Sequence, residues 1–291
     1  MSNLARPSSP SSPSETRELL DAVISARAVA GVLPGLAPAT YARDHACFET
    51  QSDQRQLIAD HLVTLLAHRR NGPISMLSVG CGDGTLDARL AASLADVLPT
   101  RPVRYVGIDP YAGSAAAFVA ALSDLDRESL ETQVHVATFD DAPVAGPFDV
   151  ITFVHSMYYV PRVAETLRAA FDLLGPRGEL IVVNAPRGVL NALVGVLAPP
   201  LEGHRQWFSD DVVAGFAEAG QQLEEIVTLE GRLDLAAASD AVLDFTVQAQ
   251  LTPELRPLVR AYLHAVSVPD SSGEMRVPHP VDVFCVKRSD L

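Results

Sequence analysis

The stretch Met76-Leu77-Ser78-Val79-Gly80-Cys81-Gly82-Asp83-Gly84 limits the folds open to this chain more than any other. An apolar run leads straight into G-x-G-x-G, and a helical stretch follows. Glycines at such a turn take positive φ and let backbone approach a ligand closely. The spacing is tighter than the dinucleotide pattern G-x-G-x-x-G. No lysine follows, as a Walker phosphate loop would require. Read alone, the glycines also suit an ordinary strand-to-helix turn.

The rest of the chain supplies the context. Apolar runs at 74–79, 103–108, 134–137, 148–154 and 180–183 alternate with helical stretches at 85–98, 112–127 and 161–174. That alternation predicts a parallel sheet in an α/β fold. Ser209-Asp210-Asp211 reads as the capped start of a further helix over 209–220. Two late strand candidates, near 223–229 and 281–287, suggest an antiparallel hairpin at the sheet edge. Residues 232–265 between them read as mostly helical. The expected architecture is a doubly wound, Rossmann-like sheet of seven strands with the last one antiparallel. A Ser/Pro-rich disordered tail is expected over 1–16, an N-terminal helical lid over 17–71, and a helical insertion at about 232–275 of the main domain, 72–291. Within the lid, one helix is expected over 15–33 and a second over 41–70, the latter stopped by Asn71-Gly72-Pro73.

Composition narrows the partners. The 291 residues are 48% hydrophobic and 20% charged, enough to bury a sizeable core. No apolar run approaches the ~18 residues of a membrane span. Net charge is −14, which opposes binding to a nucleic-acid backbone. Cys47, Cys81 and Cys285 stand far apart and make neither CxxC nor an even disulfide framework, so a reducing cytoplasm is expected. The N-terminus lacks the apolar core of a secretory signal. There is no HxxxH, HExxH or carboxylate cluster of ligand spacing, so no metal is expected.

Several side chains stand where strands should end, which is where ligands bind in doubly wound sheets. Asp109, followed by Pro110, closes the second strand and is placed to accept hydrogen bonds from ribose hydroxyls. A solvated helix-capping acid is the alternative. Asp140 and Asp141 follow the third strand and can take an adenine amine, or serve as turn acids beside Pro143. His155 and Ser156 end the fourth strand, with Tyr158 and Tyr159 as candidate walls of the crevice. A hydrogen-bonded structural histidine is the alternative for His155.

Taken in order, these pieces resemble a class I S-adenosylmethionine-dependent methyltransferase. Leu174-Gly175-Pro176-Arg177-Gly178-Glu179-Leu180 adds that family's turn into its fifth strand, and the likeness covers about 74–230 plus the closing strand. The resemblance implies S-adenosyl-L-methionine as cofactor, held by Ser78, Gly80, Cys81, Gly82, Gly84, Asp109, Pro110, Asp140, Asp141, His155 and Ser156. A closer likeness is to histamine N-methyltransferase, through Leu77-Ser78-Val79-Gly80, the Phe148–Tyr159 segment, Tyr41 and Phe48. That subfamily's amine-holding glutamate is Gln54 here, a glutamine before the tyrosine pair is His155, and an asparagine near the last strand falls at about His279. An amine would lose its carboxylate partner, so histamine itself is not expected as substrate. Tyr41, Phe48, Gln54 and His279 remain the candidate substrate contacts, with His155, Tyr158 and Tyr159 as candidate catalytic residues.

The function expected is methylation of nitrogen or oxygen on a small molecule of the secondary-metabolite kind, with His155 available as a base. Two other readings stay open. One is a cyclase that closes azetidine-2-carboxylate from the cofactor's own methionine chain and releases methylthioadenosine. The other is a non-catalytic cofactor-binding module. Oligomeric state is not written in the sequence.

Overall fold

Strands buried on both faces need continuous apolar runs rather than alternation, and the runs flanking the glycine loop provide them. The computed structural model describes residues 12–67, 73–97, 102–201, 203–235 and 238–288. In chain order its helices are α1 (Pro13–Ala30), α2 (Pro38–Glu49), α3 (Gln54–Leu66), α4 (Thr85–Val97), α5 (Ala112–Ser123), α6 (Val163–Asp172), α7 (Leu190–Leu197), α8 (Ser209–Glu218), α9 (Asp240–Val247) and α10 (Leu255–Val266). Its strands are β1 (Ile74–Val79), β2 (Val103–Asp109), β3 (Leu130–Val136), β4 (Phe148–Val154), β5 (Leu174–Asn184), β6 (Glu225–Leu229), β7 (Arg232–Leu233), β8 (Val268–Pro269), β9 (Met275–Pro278) and β10 (Val281–Lys287).

The chain divides into two compact units. One holds the described residues up to Gln54 with Arg187–Arg205 and Glu230–Pro280; the other holds Arg55–Pro186, Gln206–Leu229 and the chain from Val281. The second unit is the seven-stranded sheet, in the order β3-β2-β1-β4-β5-β10-β6. β3, β2, β1, β4 and β5 run parallel, and β10 lies antiparallel to both β5 and β6. Side chains alternate between the two faces. Met76, Tyr105, Val150, Ile181 and Val283 pack with Ile58 and Leu62 of α3, Leu90 and Leu94 of α4, and Phe118 of α5. Leu77, Val106, Ile151, Val182 and Phe284 pack with Val163 and Leu167 of α6 and Val212 and Phe216 of α8. Helices on both faces make this the doubly wound arrangement.

The first unit gathers α1, α2, α7, α9 and α10 around its own core, which includes Val23, Phe48, Leu193, Phe245, Val259 and Leu263. The buried positions of α10, at Leu255, Val259, Tyr262 and Leu263, follow the helical period. A small sheet, β7-β9-β8, belongs to the same unit.

Several boundaries differ from the sequence expectation, each for a local reason. The tail expected over 1–16 is already helical at Pro13–Thr16, because Pro13 starts the helix and the Ser12 hydroxyl accepts from Glu15 N–H at 3.3 Å. Residues 1–11 lie outside the described residues, as do Asn71 and Gly72. The helix expected over 41–70 is two helices, α2 and α3. The break at Thr50–Asp53 bonds sideways into the first unit, through Asp53 N–H to the Arg232 carbonyl (3.2 Å). β3 starts at Leu130, not 134, since its burial alternates and an apolar-run criterion misses its polar half. The late strands do pair antiparallel, but β10 lies inside the sheet and β6 alone takes the edge. The stretch 232–275 is not only helical: β7, β8 and the start of β9 fall in it. Ser209 does not cap α8. Its hydroxyl donates to the Asn184 carbonyl, while Asp211 accepts from the Phe208 N–H at 2.9 Å.

Candidate active site

The carboxyl ends of β1, β2 and β4 meet in the second unit, and the glycine loop is the hinge of that meeting. Gly80 and Cys81 N–H groups both donate to the Ile108 carbonyl (2.8 and 3.1 Å), tying the loop to β2. Gly80, Gly82 and Gly84 all have positive φ, at 69°, 56° and 76°. They differ in what surrounds them. A Cβ on Gly80 would collide with Cβ of Ser156, and one on Gly84 would lie 2.7 Å from the Phe118 Cα. A Cβ on Gly82 would meet nothing within 4 Å. Two glycines are therefore spent on packing, and the middle one leaves open space above backbone. That open cradle is where a ligand can approach the main chain.

Asp109 stands beside it. Its Oδ2 accepts the Gly82 N–H at 3.0 Å and its Oδ1 accepts the Tyr111 N–H at 2.9 Å. Each oxygen carries one backbone donor and keeps a further acceptor position. Burial pushes its carboxyl above the ordinary aspartate range, and the two N–H groups oppose that. Pro110 and Tyr111 follow it on the exposed side. Beyond β3, Asp140 and Asp141 are exposed, and Asp141 accepts the Thr138 hydroxyl at 2.8 Å.

At the end of β4 the chain turns through His155, whose φ is 52°. Positive φ is uncommon outside glycine, and histidine is among the few side chains enriched there. His155 N–H donates to the Val183 carbonyl (3.0 Å), and Ser156 Oγ donates to the Val79 carbonyl (2.6 Å). Ser156 thus fastens the β4 end to the base of the glycine loop. Nδ1 of His155 lies 2.9 Å from the Tyr158 hydroxyl, which also accepts the Ala185 N–H at 3.1 Å. Tyr158 is buried and Tyr159 is 51% exposed.

Ser78 and Cys81 do not open onto the cradle; both are buried. The Cys81 sulfur fills the space that a Cβ on Gly107 would need. Burial raises its thiol pKa, and Asp87, Asp109 and Asp83 add to the effect, so it stays protonated. Ser78 bonds Asp87, whose carboxylate also takes the Tyr105 hydroxyl at 2.8 Å. Sequence reasoning missed this Asp87–Tyr105 pair. Its one signal was an acid in the first turn of α4, where an amphipathic helix facing a sheet would bury it.

The four candidate substrate contacts lie in the first unit and form one cluster. The Tyr41 and Phe48 rings each lie tilted against the Phe245 ring with centroids 5.1 Å apart, and Phe48 meets the His279 ring edge-on at 5.5 Å. Gln54 Nε2 donates to the His279 carbonyl at 2.8 Å, and His279 Nδ1 pairs with the Ser52 hydroxyl at 2.9 Å. Gln54 and His279 are buried. Burial lowers the His279 pKa to about 4, against the opposing charges of Glu49 and Asp53.

With the fold and loop in place, likeness to known proteins decides the family. A methyltransferase domain family matches residues 51–225. The chain belongs to that family. Its cofactor is S-adenosyl-L-methionine, and the open cradle over Gly82 with the half-used Asp109 carboxylate fits a nucleoside-bearing ligand. Among curated relatives, the ubiquinone biosynthesis O-methyltransferase of Azorhizobium caulinodans is 28% identical over 183 residues, 57% of this chain and 68% of that protein. Its counterpart from Marinobacter nauticus is 32% identical over 141 residues, 45% of this chain and 55% of that protein. A solved structure from Bacillus halodurans, described as a methyltransferase, superposes with TM-score 0.54 at 16% identity, covering 78% of this chain and 99% of that one. That likeness shows the fold. None of these relatives is a histamine enzyme, so they do not show the closer likeness to histamine N-methyltransferase. Among the described residues, no helix is long and apolar enough to cross a membrane.

Proposed function

We propose that this enzyme methylates an oxygen atom of a small molecule. The observation that carries the reading is the Ser156 fastening. It holds His155 and Tyr158 at the mouth of the strand that borders the glycine loop. The named relatives act in ubiquinone biosynthesis as O-methyltransferases, which favours oxygen over nitrogen. In this reading Gly80, Cys81, Gly82 and Gly84 shape the cradle and Asp109 receives the ribose hydroxyls. Asp140 or Asp141 takes the adenine amine; both are exposed, and Asp141 also accepts the Thr138 hydroxyl. Ser78 supports the loop from beneath, His155 and Tyr159 face the acceptor, and the buried Tyr158 holds the His155 ring. When bound, S-adenosyl-L-methionine supplies a methyl carbon made electrophilic by its sulfonium. The chain's own contribution is alignment and exclusion of water.

The test is mass spectrometry of the purified protein with S-adenosyl-L-methionine, alone and with a panel of phenols, carboxylic acids and amines. S-adenosylhomocysteine appearing with a methylated oxygen supports the proposal. Methylthioadenosine above a no-enzyme control, without acceptor, replaces it with ring closure of the methionine chain. Tight cofactor binding with neither product returns the chain to a binding role.

A further inference from the structure

We infer that Asp87 is a positioning residue for cofactor binding: its buried carboxylate ties the first turn of α4 to β1 and β2, and so fixes the glycine loop between them. This role concerns the cradle and does not depend on which acceptor atom is methylated.

The helix pattern sets Asp87 apart. Residues 87, 90, 91 and 94 follow the i, i+3, i+4, i+7 spacing of one helix face. Leu90, Ala91 and Leu94 are buried in the core between α4 and the sheet. Asp87 takes the remaining position of that stripe, the one nearest the glycine loop, and is only 6% exposed. An apolar side chain would bury there without electrostatic cost, whereas a carboxylate has to be compensated. The compensation comes from the Tyr105 hydroxyl of β2, at 2.8 Å, and from the Ser78 hydroxyl of β1. Both of these residues are buried as well.

The three residues bracket the loop. Ser78 stands two residues before Gly80, and Asp87 three residues after Gly84. Tyr105 belongs to β2, whose end carries Ile108 and Asp109. Those two receive the loop's Gly80, Cys81 and Gly82 N–H groups. The far end of the loop is continuous with the helix, because the Ala88 N–H donates to the Gly84 carbonyl at 2.8 Å. A shift of the first turn of α4 against β1 and β2 therefore moves the loop that Gly82 leaves open.

Apolar packing sets how deep a helix sits but is non-directional. Hydrogen bonds to a carboxylate are directional and among the strong ones. A carboxylate accepts from both hydroxyls, whereas an amide has one acceptor oxygen and brings two donors of its own. Burial keeps the Tyr105 hydroxyl protonated, so its proton always needs an acceptor. Asp87→Asn therefore disturbs the bonds with almost no change of shape.

Two variants separate positioning from stability. Asp87→Asn alters the bonds, and the triple variant Ser78→Ala, Asp87→Leu, Tyr105→Phe replaces them with apolar packing. Each is read by urea melts, by titration calorimetry with S-adenosylhomocysteine, and by amide NMR of the glycine-labelled protein without ligand. Both are expected to bind at least tenfold more weakly than the parent, although the triple variant keeps the parent's urea midpoint. The Gly82 signal, assigned by its loss in Gly82→Ala, should shift in both, while those of Gly220 and Gly273 stay in place. Phe216→Leu, on the opposite face of the sheet, should lower stability and leave affinity and the Gly82 signal unchanged. A stable triple variant that binds like the parent overturns the inference, as does an unmoved Gly82 signal in Asp87→Asn. Equal loss of affinity in Phe216→Leu also overturns it, since binding would then follow stability alone. If the triple variant does not fold, Asp87→Asn and Phe216→Leu decide by the same readouts. A parent that does not bind S-adenosylhomocysteine overturns the cradle and this role together.

Discussion

Replacing Gly82 and Gly84 by alanine in turn separates the packing role of the loop from its ligand role. Both positions have positive φ, 56° and 76°, so each alanine pays left-handed strain of about 1–2 kcal/mol. At Gly82 the strain is the whole cost to the fold, because the new methyl meets nothing within 4 Å. At Gly84 the methyl would sit 2.7 Å from the Phe118 Cα, which is backbone and cannot swing aside. Forced repacking of that kind adds about 1–3 kcal/mol. In a domain of this size each kcal/mol lowers Tm by about 2–4 °C. Gly82→Ala is therefore expected to melt about 2–8 °C below the parent, and Gly84→Ala further below that. Binding should rank the other way once stability is accounted for. Titration calorimetry with S-adenosyl-L-methionine at a temperature where both variants are folded should show Gly82→Ala weakened at least tenfold, about 1.4 kcal/mol. A Gly82→Ala protein that binds the cofactor as well as the parent would refute the cradle, since the methyl would then occupy space no ligand uses.

Three further outcomes follow from buried groups and exposed rims. His279 is held neutral by burial with its pKa near 4, whereas the unfolded chain takes up that proton below pH 6.5. Its contribution is complete above pH 6.5 and drains as pH falls toward 4, about 3 kcal/mol in all. Urea melts from pH 7.5 to 4.5 should show that slope, and His279→Gln should flatten it; an identical slope in the variant removes His279 as the cause. Tyr105→Phe strips one of the hydroxyl donors from the buried Asp87 carboxylate. It should cost about 1–3 kcal/mol by denaturant melts, and a neutral result would mean that Asp87 is held by other groups. Tyr159→Ala changes a side chain that is 51% exposed. Stability should move by no more than about 0.5 kcal/mol, while KM for the acceptor rises; an unchanged KM takes Tyr159 out of the crevice wall.

The fold was legible where burial is symmetric and obscure where it is not. β1, β2 and β4 are apolar on both faces, and a run of buried residues reads the same whichever helix covers it. Among the described residues β3 pairs only with β2 and is half exposed, so Glu131, Thr132 and Gln133 hid its first half. The break between α2 and α3 carries no proline or glycine. It is fixed by Gln51, Ser52 and Asp53 pairing with residues 232–234, about 180 positions away, and no local pattern reports such a contact. The small sheet of β7, β8 and β9 escaped for the same reason, being built from strands of 2–4 residues.

The site divides along the same line. The glycine loop and Asp109 are contiguous patterns, and the backbone bonds they make run between neighbouring strands, so spacing alone places them. What each glycine does is not in the spacing. Gly80 and Gly84 are demanded by Ser156 and Phe118, which lie 76 and 34 residues further on, and only Gly82 is left open. His155 carries the sharper lesson. An isolated histidine reads as a base because its ordinary pKa sits near neutrality. Whether it can act as one depends on which nitrogen holds the proton. The spacing does not say, because its ring partners are a tyrosine three residues later and, through that tyrosine, the Ala185 N–H one strand over.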